Sequence, residues 1–119
     1  MSTEATQPQN PRACPIAATI AMLGGKWKPM IVHMLTAGTL RFGQIKRNLP
    51  AVSQKMLTQQ LRELEADGIV RRVVYAQVPP RVEYSLTAHG AALKPILESL
   101  YVWGTAHAAI TAGSDDRAA

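Results

Sequence analysis

The run VSQKMLTQQLRELEADGIV, from Val52 to Val70, constrains the fold more than any other part of the chain. Ser53 stands where a side-chain oxygen can accept from the free N–H groups of a helix start, and Gly68 where a left-handed residue ends one. Val52 and Leu57 occupy the two positions of a hydrophobic staple. At 100° per residue, Leu57, Leu61 and Leu64 fall within about 60° of one another, so the helix has one narrow apolar seam. Lys55, Gln59 and Arg62 point the opposite way. Glu63, Glu65 and Asp67 crowd the second half of the helix and leave its first half free of acids.

The flanking segments supply the rest of one domain. Pro15 has the fixed φ suited to a first helical position, and Ile16, Ile20 and Leu23 recur as a buried side before Gly24-Gly25 stops the helix. A second helix is expected from about Trp27 to Ala37, with Pro29 in its first turn and Gly38 beyond its end. Thr39 to Arg41 is too short for a sheet of its own but suits an edge strand on a later hairpin. Phe42 to Leu49 repeats apolar residues at 42, 45 and 49, which leaves Lys46 and Arg47 on the solvent side, and Pro50 ends it.

After Gly68, Val70 to Tyr75 and Val82 to Leu86 are β-rich runs, the second alternating, and AQVPPR joins them as a hairpin loop. Thr87 is placed to cap a last helix of about 25 residues, with a bend expected at Pro95. Helix, helix, short strand, helix, helix, hairpin and long helix is the element order of a winged helix-turn-helix. The expected class is therefore mainly α (α+β), with N- and C-terminal helices available for dimerisation. The domain is expected over 13 to 112, between disordered tails at 1 to 12 and 113 to 119, which lack the apolar content to order themselves. At 119 residues, one core must carry everything.

The charge is concentrated where that reading puts the motif. Residues 26 to 81 hold ten of the 13 Lys and Arg but only three acids, within a chain of formal net charge +5. A field gathered in one segment suits a polyanion such as nucleic acid. A helix fits the major groove of DNA and meets base edges with the residues of its N-terminal half. Ser53, Gln54, Lys55, Thr58, Gln59 and Arg62 are the candidate contacts of this helix, with Lys46 and Arg47 before it and Arg81 at the wing. Gln54 and Gln59 can offer a paired donor and acceptor to adenine, while Lys55 and Arg62 can reach guanine or phosphate. The same cations could be no more than the solvated face of an amphipathic helix, and the fold could serve as a protein-interaction module. The agreement of the turn, the wing cations and the sparse acids favours double-stranded DNA.

Five motifs in order, LGGKWKPMIV, RFGQIKRNLP, SQKMLTQQLRELEADGIVRR, VPPRVEYSLTAHG and LYVWG, resemble the signatures of the HxlR family of bacterial winged-helix regulators, within the MarR-like superfamily. The likeness spans Cys14 to about His107. It implies a homodimer on a palindromic operator, the first and last helices forming the interface, the helix at 53 to 67 in the major groove and Arg81 at the wing. The chain departs from the family pattern at Lys28-Pro29, where uncharged or aliphatic residues are more usual.

The last helix points to association by itself. Leu93, Ile96, Leu97, Leu100, Trp103, His107 and Ile110 cover more than one stripe, more than one small core can bury. Ile16, Ile20, Leu97, Leu100, Trp103 and His107 are the candidate interface residues. Cys14, alone and just before a helix start, is either an inert small hydrophobe or a thiol activated by the helix end and by Arg12, open to an oxidant or electrophile. Some members of the resembling family use a cysteine at the matching place.

Other functions find little support. His33 lies on an apolar helix, and His89 and His107 have neither the spacing nor the cysteine partners of a metal site. There is no Gly-rich phosphate loop, and neither an enzyme nor a cofactor is expected. The first residues, MSTEATQPQNPRA, lack the basic and apolar regions of a secretory signal, the longest apolar run is too short for a membrane span, and a lone cysteine suits a reducing compartment. The expected location is the cytoplasm.

Overall fold

The structure is a computed structural model that describes residues 14 to 118, with side chains described through 112. The expected N-terminal tail and Arg12 lie outside the described residues. The elements are α1 (Pro15–Met22), α2 (Trp27–Leu35), β1 (Leu40–Arg41), α3 (Phe42–Asn48), α4 (Gln54–Ala66), β2 (Val70–Tyr75), β3 (Arg81–Leu86), α5 (Ala88–Ala91) and α6 (Lys94–Ala118). They form a winged helix-turn-helix. Residues 113 to 118, within the expected second tail, continue the backbone of α6, and their side chains lie outside the described ones.

The sheet is antiparallel with strand order β1-β3-β2. Val70 pairs with Leu86 and Arg72 with Tyr84 along the hairpin, while Leu40 pairs with Tyr84 from the other side. The short segment before α3 thus becomes the third strand, lent stability by a partner it could not find locally.

The core lies beneath α4. Leu57, Leu61 and Leu64 are fully buried against Ile31, Val32 and Leu35 of α2, Ile45 of α3, and Ile69 and Val70 at the start of β2. Ser53 caps α4 by accepting from the N–H of Met56 at 3.0 Å. At its other end the N–H groups of Gly68 and Ile69 donate to the carbonyls of Glu65 and Leu64, both at 3.0 Å, and Gly68 takes the positive φ (76°) that this closure requires. Both ends of the helix are fixed, so its outward face has one orientation.

Three expectations need correction. Ile16 and Ile20 do not enter the core: they are 72% and 66% exposed, and only Leu23, just beyond α1, is buried. Three apolar residues at helical spacing define a face, not what covers it. The final helix is two helices. Thr87 caps α5 by accepting from the N–H of Gly90 at 2.9 Å, while Pro95, the second residue of α6, starts that helix where a bend was expected. The proline ring suits a first turn, where no N–H is needed. Leu97, expected at an interface between chains, is 4% exposed in the chain's own core beside Leu93.

Gly90 marks the junction of α5 with the α4–β2 turn. The Thr87 hydroxyl donates to the carbonyl of Gly68, the Thr87 N–H donates to that of Ile69 at 3.0 Å, and a Cβ on Gly90 would overlap the same Ile69 carbonyl oxygen. Only glycine lets the helix approach this closely.

Candidate nucleic-acid interface

The turn at 49–53 sets α4 after α3, and the buried leucine seam turns the opposite face of α4 outward. Gln54, Lys55, Thr58, Gln59 and Arg62 line one concave surface there. All but the half-buried Thr58 are exposed. Thr58 spends its hydroxyl proton on the carbonyl of Gln54 at 2.8 Å, and Ser53 spends an acceptor site on the helix cap. The free hydrogen-bonding capacity of the face therefore belongs to the two glutamines and the two cations.

The other candidate contacts are spread around this face. Arg47 is exposed on α3, while Lys46 is half-buried with its Nζ donating to the carbonyl of Pro50 at 3.4 Å. Arg81 is held against the wing, its guanidinium 4.3 Å from the Tyr75 ring centroid and its Nε 3.5 Å from Glu83. It shares a cleft with Arg41, Phe42 and the loop prolines, away from the α4 surface.

Two further residues belong to the site that the sequence pattern did not single out. Arg72 shares a small cleft with Thr58, Arg62, Glu65 and Tyr84, which adds a strand cation to the helix cations. Its signal was available, since alternation from the buried Val70 puts Arg72 on the same side of the strand. Lys28 gave no such signal. It is buried on α2, and its ammonium meets Glu63 of α4 at 2.6 Å. Glu63 also accepts from Gln59 Nε2 at 3.2 Å. The hydrogen bond from Lys28, then that from Gln59, then the Lys28 charge hold the Glu63 carboxyl below its ordinary pKa.

Of the candidate interface residues, Ile16, Ile20, Leu97 and Leu100 border one apolar cleft of about 570 Å³ between α1 and α6, with Ile96 beside them. Trp103 stacks on His107 at 4.8 Å and borders a different hollow. Cys14 is a free, half-buried thiol at the N-cap of α1, adjoining Pro15 of that cleft. His33 packs on Tyr101, with ring centroids 5.6 Å apart. Among the described residues no group of three or more potential ligands could hold a metal ion, and no helix is long and apolar enough to cross a membrane.

A narrow-seamed helix set after a tight turn, with a polar cationic face outward and a wing beside it, defines a helix-turn-helix DNA-binding protein. The family model described as HxlR-like helix-turn-helix matches residues 22–111, and the chain belongs to that family of transcriptional regulators. It is 53% identical over 92 residues to the uncharacterised HTH-type transcriptional regulator YtcD of Bacillus subtilis (strain 168), covering 77% of this chain and 73% of the relative. Among solved structures, the redox regulator HypR in its reduced form superposes with a TM-score of 0.80 at 46% identity, over 84% of this chain and 99% of that one. Its oxidised form gives 0.74 at 50% identity, over 78% and 96%.

Proposed function

We propose that this regulator acts as a homodimer on a palindromic operator, with α4 in the major groove, the wing against the adjacent backbone, and Cys14 as a site at which an oxidant or electrophile alters DNA affinity. The observation that carries the DNA-binding part is the outward face of α4. Gln54, Lys55, Gln59 and Arg62 stand exposed together, while Glu63, the acid hydrogen-bonded to Gln59, is tied back to Lys28. Glutamine offers the donor and acceptor pair that adenine requires, and the cations suit guanine or phosphate.

Dimerisation is supported by Ile16, Ile20, Ile96 and Leu100, exposed around one apolar cleft that a second copy of the chain would cover. Cys14 stands at the edge of that cleft, so a sulfenate, an adduct or a disulfide between the two Cys14 thiols would shift α1 within the interface. The likeness to a redox regulator solved in both oxidised and reduced forms supports the same reading.

The test is the salt dependence of binding to operator-containing DNA, measured by fluorescence anisotropy. Each phosphate neutralised contributes about −0.9 to the slope of log K against log salt, so several contacts give a steep fall. A flat response would leave a winged-helix protein-interaction module as the function.

A further inference from the structure

Among the described residues, the outward face of α4 is joined to the body of the protein through one charged contact. Lys28 Nζ lies 2.6 Å from Glu63 Oε1, and Glu63 Oε2 accepts from Gln59 Nε2 at 3.2 Å. The direction of each bond is forced, because an ammonium only donates and an ionised carboxylate only accepts. Glu63 is kept ionised by the buried ammonium beside it, and Gln59 must therefore turn its NH2 toward Glu63. One N–H of that group is used by the carboxylate. The amide oxygen and the other N–H remain as a neighbouring acceptor and donor. That pair matches N6 and N7 of adenine, whereas guanine presents two acceptors to the major groove.

We propose that Lys28 is a positioning residue for base recognition: through Glu63 it holds the Gln59 amide in the orientation that selects adenine over guanine. The proposal rests on α4 being the recognition helix. A glutamine amide left free could rotate and offer either end to a base, losing discrimination while keeping contact. Here the rotation is settled before DNA arrives, and the charge of Glu63 is balanced where it would otherwise repel phosphate. Lys28 never touches DNA in this arrangement.

The experiment selects preferred sites from a randomised double-stranded DNA library with wild type, Gln59→Ala, Glu63→Gln, Lys28→Met and Lys28→Arg, alongside thermal unfolding of each. Wild type and Lys28→Arg should show a strong adenine preference at one position of each half-site. Glu63→Gln and Lys28→Met should reduce that preference about tenfold, toward the level of Gln59→Ala, with the other positions and the affinity for random DNA within about twofold. Glu63→Gln keeps the shape of the side chain but both donates and accepts, so it carries the test even if Lys28→Met folds poorly. Adding Glu63→Gln to Gln59→Ala should change nothing more at that position. Full adenine preference in Glu63→Gln, or a loss spread evenly over all positions as a merely structural role would give, overturns the proposal. Base preferences untouched by Gln59→Ala would overturn it together with the assignment of base reading to Gln59, which separates the two failures.

Discussion

The exposed residues of α4 and the wing differ in how firmly they are held, and that difference sets their expected effects. Lys55 makes no hydrogen bond or ion pair recorded among the described residues and stands on the presented face, free to follow a base edge. Arg81 is laid against Tyr75 and tied to Glu83, which suits a fixed charge that meets phosphate. Lys55→Ala should cost roughly 1–3 kcal/mol on preferred sites and change which bases are preferred, whereas Arg81→Ala should weaken all sequences evenly and lower the salt slope by about one contact. Competition binding on matched and mismatched duplexes separates the two, and a uniform loss for Lys55→Ala would remove it from base recognition. The Lys28–Glu63 pair has a signature in stability. A carboxyl whose folded pKa lies below its unfolded one stabilises the protein above the unfolded value, and that contribution is lost as pH falls through the folded value. The difference in urea midpoint between wild type and Lys28→Met should therefore be constant from about pH 8 to 5 and shrink below about pH 4. A difference that persists unchanged in acid would mean that Lys28 acts by packing alone.

Both ends of α4 were legible in the sequence. The Ser53 cap, the Gly68 closure and the leucine seam of α4 involve residues within a turn or two of one another, and the structure has all three. Burial along α1 and α6 was not legible, because periodicity identifies an apolar face but not the surface that meets it. Leu97 and Leu100 are one turn apart on α6, yet the first is in the core and the second is 57% exposed. Lys28 and Glu63 are on different helices far apart in sequence, so only the packing of α2 on α4 brings them together. Proline was ambiguous at 95, since its ring serves a helix start as readily as it bends a helix interior. The contrast on α6 gives a paired prediction. Leu100→Glu should yield monomers by sedimentation, since a charge left unpaired in an apolar interface costs about 3–5 kcal/mol, or roughly two to nearly four orders of magnitude in dissociation constant. Leu97→Ala should lower folding stability by about 2–5 kcal/mol and weaken the self-association of the folded protein far less than Leu100→Glu does. A dimer that survives Leu100→Glu would place the interface elsewhere.

At the scale of the whole molecule, the surfaces proposed for base recognition and for assembly are separate and joined by rigid parts. The α4 face is bound to the core by its leucines and by Lys28, while α1 and α6 carry the uncovered apolar cleft. In the proposed dimer the two copies of α4 must reach successive major grooves about 34–36 Å apart, so a small rotation at the interface misaligns both. In the same proposal, modification of Cys14 at the start of α1 would cause such a rotation. Treatment with diamide should weaken operator binding by wild type at least tenfold, with recovery on reduction, while Cys14→Ser should bind equally in both conditions. Oxidant-insensitive binding by wild type would confine Cys14 to a structural role. The ring of Trp103, 66% exposed and lying 4.8 Å from His107, adds a practical property. Of the two tryptophans in the chain, Trp27 is half-buried beneath Lys26, and Trp103 alone stands open to water on the long helix. With Trp27 replaced by phenylalanine, the molecule would hold a single indole emitter on the flank of its own α6, and the colour of its light would track, without any attached dye, how much water that helix still meets.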